Sequence, residues 1–449
     1  RGVWKRRPRP VLLNSWEACY FKIDERKLLQ LAKVGADVGI ELFVMDDGWF
    51  SGRNDDTSSL GDWEPDPKKL PGGIASLSKK LKALGVDFGL WVEPEMISEN
   101  SRLYQEHPDW AMMIPGHPHS EGRNQRLLDL SNPEVQQYVI DSMTKVFSSG
   151  DIRYVKWDMN RNFSDIYSPY LPAAKQGETA HRYVLGLYHI MDELTTRFPE
   201  ILFEGCSSGG NRFDLGILSY FPQILASDNT DALCRTGIQN SYSYGYPLSV
   251  FTAHVSSCPN HQTLRITPLE TRFQVASFGV LGYECNLKDL SGSDLNAIRE
   301  QIALYKKWRD VFQFGSFYRG AENEASDSET LSWTCVSPDG RRAVGLFFRR
   351  LTTPNQSHDW YRPVGLLPDV KYHFYGRNIK YNLKDFGDLV NTVSPVHIKQ
   401  GSALQEILSR FVNMDGEKEE LTAYGDTLMR AGIALKPAFA GTGYNSDTR

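Results

Sequence analysis

Between residues 11 and 287 short apolar runs alternate with amphipathic helical stretches, and this alternation constrains the fold more than any other feature of the chain. The runs at 11–16, 41–46, 88–92, 154–157, 201–204, 224–226, 249–255 and 279–285 read as strands, being short and bounded by polar or turn residues. Between them, 26–39, 74–84, 133–147 and 179–198 carry apolar residues three and four apart, and 296–312 closes the series. Such alternation builds βα units around a parallel sheet. Eight candidate strands point to a closed (β/α)8 TIM barrel, a fold that takes about 250 residues plus its loop insertions. The stretch 50–69 is one insertion; its Asp, Ser, Gly and Pro content argues against a packed element and places it over the barrel mouth.

A chain of 449 residues exceeds a single ordinary core, since domains rarely grow past about 250 to 300 residues. After residue 317 the texture changes to short alternating runs at 331–337, 343–349, 371–375 and 428–435, separated by turns such as Pro338-Asp339-Gly340. The expected organisation is a linker at 1–10, a barrel at 11–317 and a smaller, truncated antiparallel β domain at 318–449.

Charge and cysteine usage remove several classes of function. Lys+Arg 50 against Asp+Glu 55 leaves a net charge of -5, with no basic footprint for a nucleic acid. No apolar run approaches the roughly 18 residues that span a bilayer, and the chain opens at Arg1 with no signal peptide. There is no CxxC pair, no HExxH and no ligand spacing among the histidines, so neither a metal nor another cofactor is expected. The six cysteines read as reduced thiols and favour a cytoplasmic location. An extracellular one is the alternative, with sequons at Asn162-Phe163-Ser164 and Asn355-Gln356-Ser357.

In barrel enzymes the reacting groups sit at the carboxyl ends of the strands, and here nearly every run ends polar. The ends read Asn14-Ser15-Trp16, Asp46-Asp47-Gly48-Trp49, Trp91-Val92-Glu93-Pro94-Glu95, Lys156-Trp157-Asp158-Met159-Asn160, Glu204-Gly205-Cys206-Ser207-Ser208-Gly209-Gly210 and Ser227-Asp228-Asn229-Thr230-Asp231. Period-two alternation puts Lys156, Asp158 and Asn160 on one strand face, and a cation beside Asp158 favours the ionised form that a carboxylate nucleophile needs. A plain Lys-Asp ion pair is the alternative. Asp228 has no adjacent cation before Arg235, so it can keep a proton and act as a general acid; it can equally cap the helix that follows, and Asp231 competes for either role.

Adjacent Asp46 and Asp47 suit a polyhydroxylated ligand or a cation that accepts both charges. Glu93 and Glu95 form a competing carboxylate pair. Trp16, Trp49, Trp91 and Trp157 offer stacking platforms for a sugar or act as packing residues at the barrel top. The turn from Cys206 to Gly210 allows close backbone approach, while Cys206 as a thiolate nucleophile has no histidine near it in sequence.

These blocks, with Arg212-Phe213-Asp214 and the terminal Gly441-Thr442-Gly443-Tyr444-Asn445, resemble the melibiase-type α-galactosidases of glycoside hydrolase family 36. The resemblance implies the (β/α)8 barrel, a C-terminal β domain, and hydrolysis of α-galactoside oligosaccharides with retained configuration and no cofactor. It assigns Asp158 as nucleophile and Asp228 as general acid/base, and Asp46 and Asp47 as holders of the galactose 4- and 6-hydroxyls. Trp91, Arg123, Lys156, Asn160, Cys206 and Gly209 match further ligand-binding positions, Trp16 flanks the pocket, and Asp62-Trp63 lies near the leaving-group subsite. Members also carry a large N-terminal β-sandwich domain that contributes to oligomer contacts. This chain opens at the linker and is expected to be a fragment, with a homo-oligomer the expectation for the full-length protein. The alternatives are an α-galactosyltransferase of raffinose-synthase type and an inactive galactose-binding fragment.

Overall fold

The computed structural model describes residues 2–435 except 121, 322–328, 352–358, 378 and 417. Its first feature is a closed barrel of eight parallel strands paired in chain order: β1 (Leu12–Asn14), β2 (Leu42–Met45), β3 (Asp87–Val92), β4 (Ile152–Trp157), β5 (Leu202–Gly205), β6 (Gln223–Leu225), β7 (Phe251–Ser256) and β8 (Val280–Glu284). Closure comes where Leu12 and Leu13 of β1 pair with Gly282 and Tyr283 of β8. These strands are apolar almost throughout because helices cover their outer faces while side chains fill the interior. Leu12, Leu42, Val44, Tyr154 and Leu202 form a buried cluster, and Trp4, from the stretch read as linker, packs against it.

The covering helices are α1 (Glu25–Val38), α2 (Gly73–Ala83), α3 (Pro133–Phe147), α4 (Thr179–Arg197), α5 (Leu215–Leu218), α6 (Ala232–Tyr242), α7 (Leu269–Ala276) and α8 (Gly292–Phe314). Their local signals are ordinary. In α1 the Asp24 carboxylate caps the first turn, Leu28, Leu31, Ala32 and Val38 form the buried stripe, and Gly39 at φ 103° ends the helix in the left-handed region. No described helix is long and apolar enough to cross a membrane.

The chain divides into two compact units, Arg1–Leu290 with Asp294–Arg309 and Ser291–Ser293 with Asp310–Arg449. The second holds a three-stranded antiparallel sheet of Ser316–Arg319, Thr330–Val336 and Ala343–Arg349, followed by two-stranded pairs. Val336, Tyr361, Leu366, Leu428 and Ile433 form a core there. The run read as a strand at 428–435 is instead the short helix Gly425–Arg430 followed by the strand Ile433–Leu435. Gly432, at φ 80°, supplies the reversal between them. The sequon at Asn355 and the block at Gly441 lie outside the described residues.

Candidate functional site

The carboxyl ends of the barrel strands bring most of the candidate residues into one buried network. From β4, Lys156 Nζ donates to Asp46 Oδ2 at 2.9 Å, and Asn14 Nδ2, at the end of β1, donates to the same oxygen at 2.8 Å. Asp47 turns the other way, to a guanidinium that sequence reasoning did not single out. Arg53 grips both Asp47 oxygens at 3.0 and 2.8 Å, its own side chain 0% exposed. Adjacent carboxylates therefore coexist because each has its own cation. Lys156 is held well above its ordinary range: burial opposes the charge, but Asp46 above all, with smaller contributions from other anions, outweighs it.

Asp158 follows β4 directly and is surrounded by donors. Trp91 Nε1 donates to Oδ2 at 3.0 Å and Asn160 Nδ2 to the same oxygen at 2.7 Å, while the amides of Met159 and Ser208 reach Oδ1 at 2.9 and 3.3 Å. Burial pushes this carboxyl up, yet the Lys156 charge and the bonds from Trp91, Cys206 and Asn160 outweigh it and hold Asp158 below its ordinary value. Burial and the anion of Asp158 drive the Cys206 thiol well above the usual range, so it serves Asp158 as a protonated donor and not as a thiolate. Trp91 is itself fixed from behind, its carbonyl accepting Trp49 Nε1 at 2.8 Å.

Asp228 lies three residues past the end of β6, two strands along the barrel from β4. It remains exposed to solvent, yet the protein packed around it first, then the charge of Asp158, pushes its carboxyl up to about 6. Lys156 partly counters this, and Glu284 and Asp46 add to it. Below about pH 6 Asp228 therefore keeps a proton that Asp158 has already lost.

One turn touches both. Ser207–Gly210 runs left-handed, with φ of 55°, 53°, 75° and 91° at successive residues, closed by Gly210 N–H to Cys206 O at 2.7 Å. It directs the Ser208 amide at Asp158 and sets Gly209 against Asp228, where a Cβ on Gly209 would fall 2.2 Å from the Asp228 amide nitrogen. Two serines in this region cost about 1 to 3 kcal/mol each, a strain that the surrounding contacts must offset.

The competing carboxyls have other tasks. Asp231 caps α6, accepting Cys234 N–H at 3.0 Å, and is tied to Thr263 and Arg265. Glu95 accepts Trp157 Nε1 at 2.8 Å, Tyr183 Oη at 2.7 Å and both Arg212 nitrogens at 2.9 and 2.7 Å, which leaves it no free lone pair to react. Glu93 is also fully buried, accepting the Asn160 amide; burial first and Asp158 second push it up to about 8. Arg235 does not neutralise Asp228. It bonds the carbonyls of Ser227 and Thr252, pinning the residue before Asp228 to β7.

Two candidates stand apart from this network. Arg123 occupies a left-handed turn with Asn124, and its guanidinium lies 3.9 Å from Asp56 on the mouth loop. Trp16 packs edge-on against Tyr20 and Phe21 at centroid distances of 5.1 and 5.3 Å, just past β1. The loop 50–69, expected to be unpacked, buries Phe50, Arg53, Leu60 and Trp63. Among the described residues no group of three or more His, Cys, Asp or Glu is placed to hold a metal ion.

Residues 1–315 match the family model described as melibiase, and 330–448 match the glycosyl hydrolase family 36 C-terminal domain. The chain is 48% identical over 379 residues to alpha-galactosidase AgaA of Geobacillus stearothermophilus, covering 84% of this chain and 52% of that protein. Among solved structures it resembles the GH36 alpha-galactosidase AgaB of the same organism, with a TM-score of 0.85, 44% identity and coverage of 98% of this chain and 55% of that one. A variant of AgaA in complex with raffinose gives 0.84 and 42%, covering 97% and 54%. The chain therefore spans about half the length of the curated relatives it matches.

Proposed function

Because this chain belongs to the melibiase family, we propose that it is a retaining α-galactosidase that hydrolyses terminal α-linked galactose from oligosaccharides such as melibiose and raffinose. The observation that carries this reading is the opposed ionisation of two carboxyls at one barrel rim: Asp158 is held low, and Asp228 is pushed up to about 6. A double displacement needs that division. Asp228 gives its proton to the glycosidic oxygen while Asp158 attacks the anomeric carbon from the opposite face, so the aglycone leaves as an alcohol and a galactosyl ester forms on Asp158. Asp228, now a carboxylate, takes a proton from water, whose oxygen attacks the same carbon and releases Asp158. Two inversions leave the configuration retained.

Around this centre, Asp46 and Asp47 accept from galactose hydroxyls, with Lys156 and Arg53 holding them in place. Trp91, Asn160 and Cys206 orient the nucleophile, and Gly209 clears the space beside the acid. Arg123 and Trp16 belong to the outer wall of the same pocket in this reading. The raffinose bound by the AgaA variant supports the substrate class, and six free cysteines favour a reducing compartment. The test is mass spectrometry of peptides after incubation with a slow 2-fluoro galactosyl donor. The expected result is one label, on Asp158; a label on another carboxyl, or turnover with none, overturns the assignment.

A further inference from the structure

Glu93 is the buried carboxyl to which the two-carboxylate mechanism gives no task. It follows β3 directly, has no exposed surface, and makes no ion pair among the described residues. Groups from three elements face it. From the end of β4 come the carboxyl of Asp158 and the backbone amide of Asn160, which donates to Glu93 Oε1. From the loop after β3, Gln125 Nε2 lies 3.3 Å from Oε2, while the Gln125 oxygen is buried with no partner. From the segment after β2 come Asp47 and Arg53; the hydrogen bonds of Arg53 run to both Asp47 oxygens and to the Ser58 carbonyl at 2.9 Å, and its charge only partly offsets the burial of Glu93.

Two carboxyls so placed in a dry setting cannot both ionise cheaply. Asp158 draws side-chain bonds from Trp91 and Asn160 and amides from Met159 and Ser208, with Lys156 nearby. Glu93 has one amide and one long contact. The negative charge belongs on Asp158 and the proton on Glu93.

We propose that Glu93 is a positioning residue that stands in the resting site as a neutral carboxylic acid: its carbonyl oxygen accepts the Asn160 amide, so aiming the Asn160 side chain at Asp158, and its hydroxyl donates to the side-chain oxygen of Gln125. A half-turn of the Gln125 amide, whose oxygen and nitrogen are interchangeable in shape, brings that oxygen to Glu93. The upward displacement of Glu93 has the same sense. The proposal deepens the reading of Asp158 as nucleophile and rests on it for its consequence, since a second anion here would compete for the donors that keep Asp158 ionised.

The test is an infrared titration of the chain in D2O, following the carbonyl band of protonated carboxylic acids from neutral to alkaline pH, in the wild type, Glu93→Gln and Asp158→Asn. The wild type is expected to lose an acid band with a midpoint of about 8. Glu93→Gln lacks that band, and in Asp158→Asn the midpoint falls by about one unit or more because the neighbouring charge is gone. In parallel, Glu93→Ala lowers turnover by about tenfold or more, and Glu93→Gln, which offers Asn160 the same acceptor, restores most of it. A wild type with no acid band above neutral pH, or a band that survives in Glu93→Gln, overturns the proposal. So does a folded Glu93→Gln as poorly active as Glu93→Ala. If Glu93→Gln does not fold, the wild-type and Asp158→Asn spectra decide alone. The spectra need no turnover, so they judge Glu93 even if the chain proves not to be an α-galactosidase.

Discussion

Gly209 lies against Asp228 so closely that a single methyl group on its Cα would meet the Asp228 amide nitrogen at 2.2 Å and the carboxyl carbon at 3.0 Å. Its φ of 75° is also one that alanine adopts only at a cost. Gly209→Ala is therefore expected to push Asp228 off its line. Displacing a reacting group by about 1 Å costs on the order of 100-fold, so kcat/KM on melibiose should fall by about that factor while Asp158 still takes up the 2-fluoro label. Steady-state kinetics beside the labelling experiment check both halves, and an alanine variant with unchanged kcat/KM would remove Gly209 from the site.

The pH profile follows from which form of each carboxyl works. Asp228 must be protonated to donate, so log kcat/KM falls as pH rises through about 6. Asp158 must be ionised to attack, and since it is held below its ordinary value the acidic limb lies below that of a free aspartate. Initial rates on melibiose across pH measure both limbs. A basic limb that persists unchanged in Asp228→Asn would mean that a different acid is titrating.

Leaving-group chemistry separates the two aspartates. Asp158→Ala should abolish turnover of every substrate, and azide, which fits the vacated space, should yield β-galactosyl azide. Asp228→Asn should lose about 100- to 10,000-fold on melibiose, the usual worth of a general acid, and far less on an aryl galactoside whose leaving group needs no proton. Equal losses on both substrates would count against Asp228 as the acid.

Removing one member of a buried ion pair costs more than the pair contributes. Arg53→Met leaves Asp47 buried without its guanidinium and should destabilise the chain by about 3 to 5 kcal/mol. Thermal unfolding reads this as a lower Tm, and an unchanged Tm would show that Asp47 finds another partner or takes a proton.

The barrel was legible because its strands are short, mostly apolar runs and several helices carry apolar stripes, as α1 does with Leu28, Leu31, Ala32 and Val38. The helices after β5, β6 and β7 were not, for distinct reasons. α5 spans four residues, too few to display a period. α6 buries Arg235, Thr236 and Gln239, so the face it turns inward is polar. α7 is eight residues long and has a weak stripe. At the site, Asp46, Asp158 and Asp228 could be read from strand ends, and Lys156 from its place two residues before Asp158. Arg53 could not, since it belongs to a loop with no periodicity and its value comes only from reaching back to Asp47. Glu95, with Glu93, stood as a competing carboxylate pair that sequence spacing did not exclude; only folding brings Trp157, Tyr183 and Arg212 onto it.

The loop 50–69 was expected to drape over the mouth, and its burial of Arg53, Leu60 and Trp63 changes what it can do. Its Asp62 carboxylate also accepts the amides of Arg102 and Leu103, at 2.7 and 3.1 Å, so the segment is fastened on both sides of its tip. Lifting it would expose an unpaired guanidinium and an indole at once. It is masonry and not a door: if the proposed hydrolysis holds, solvent viscosity should slow turnover only as far as diffusion itself is slowed.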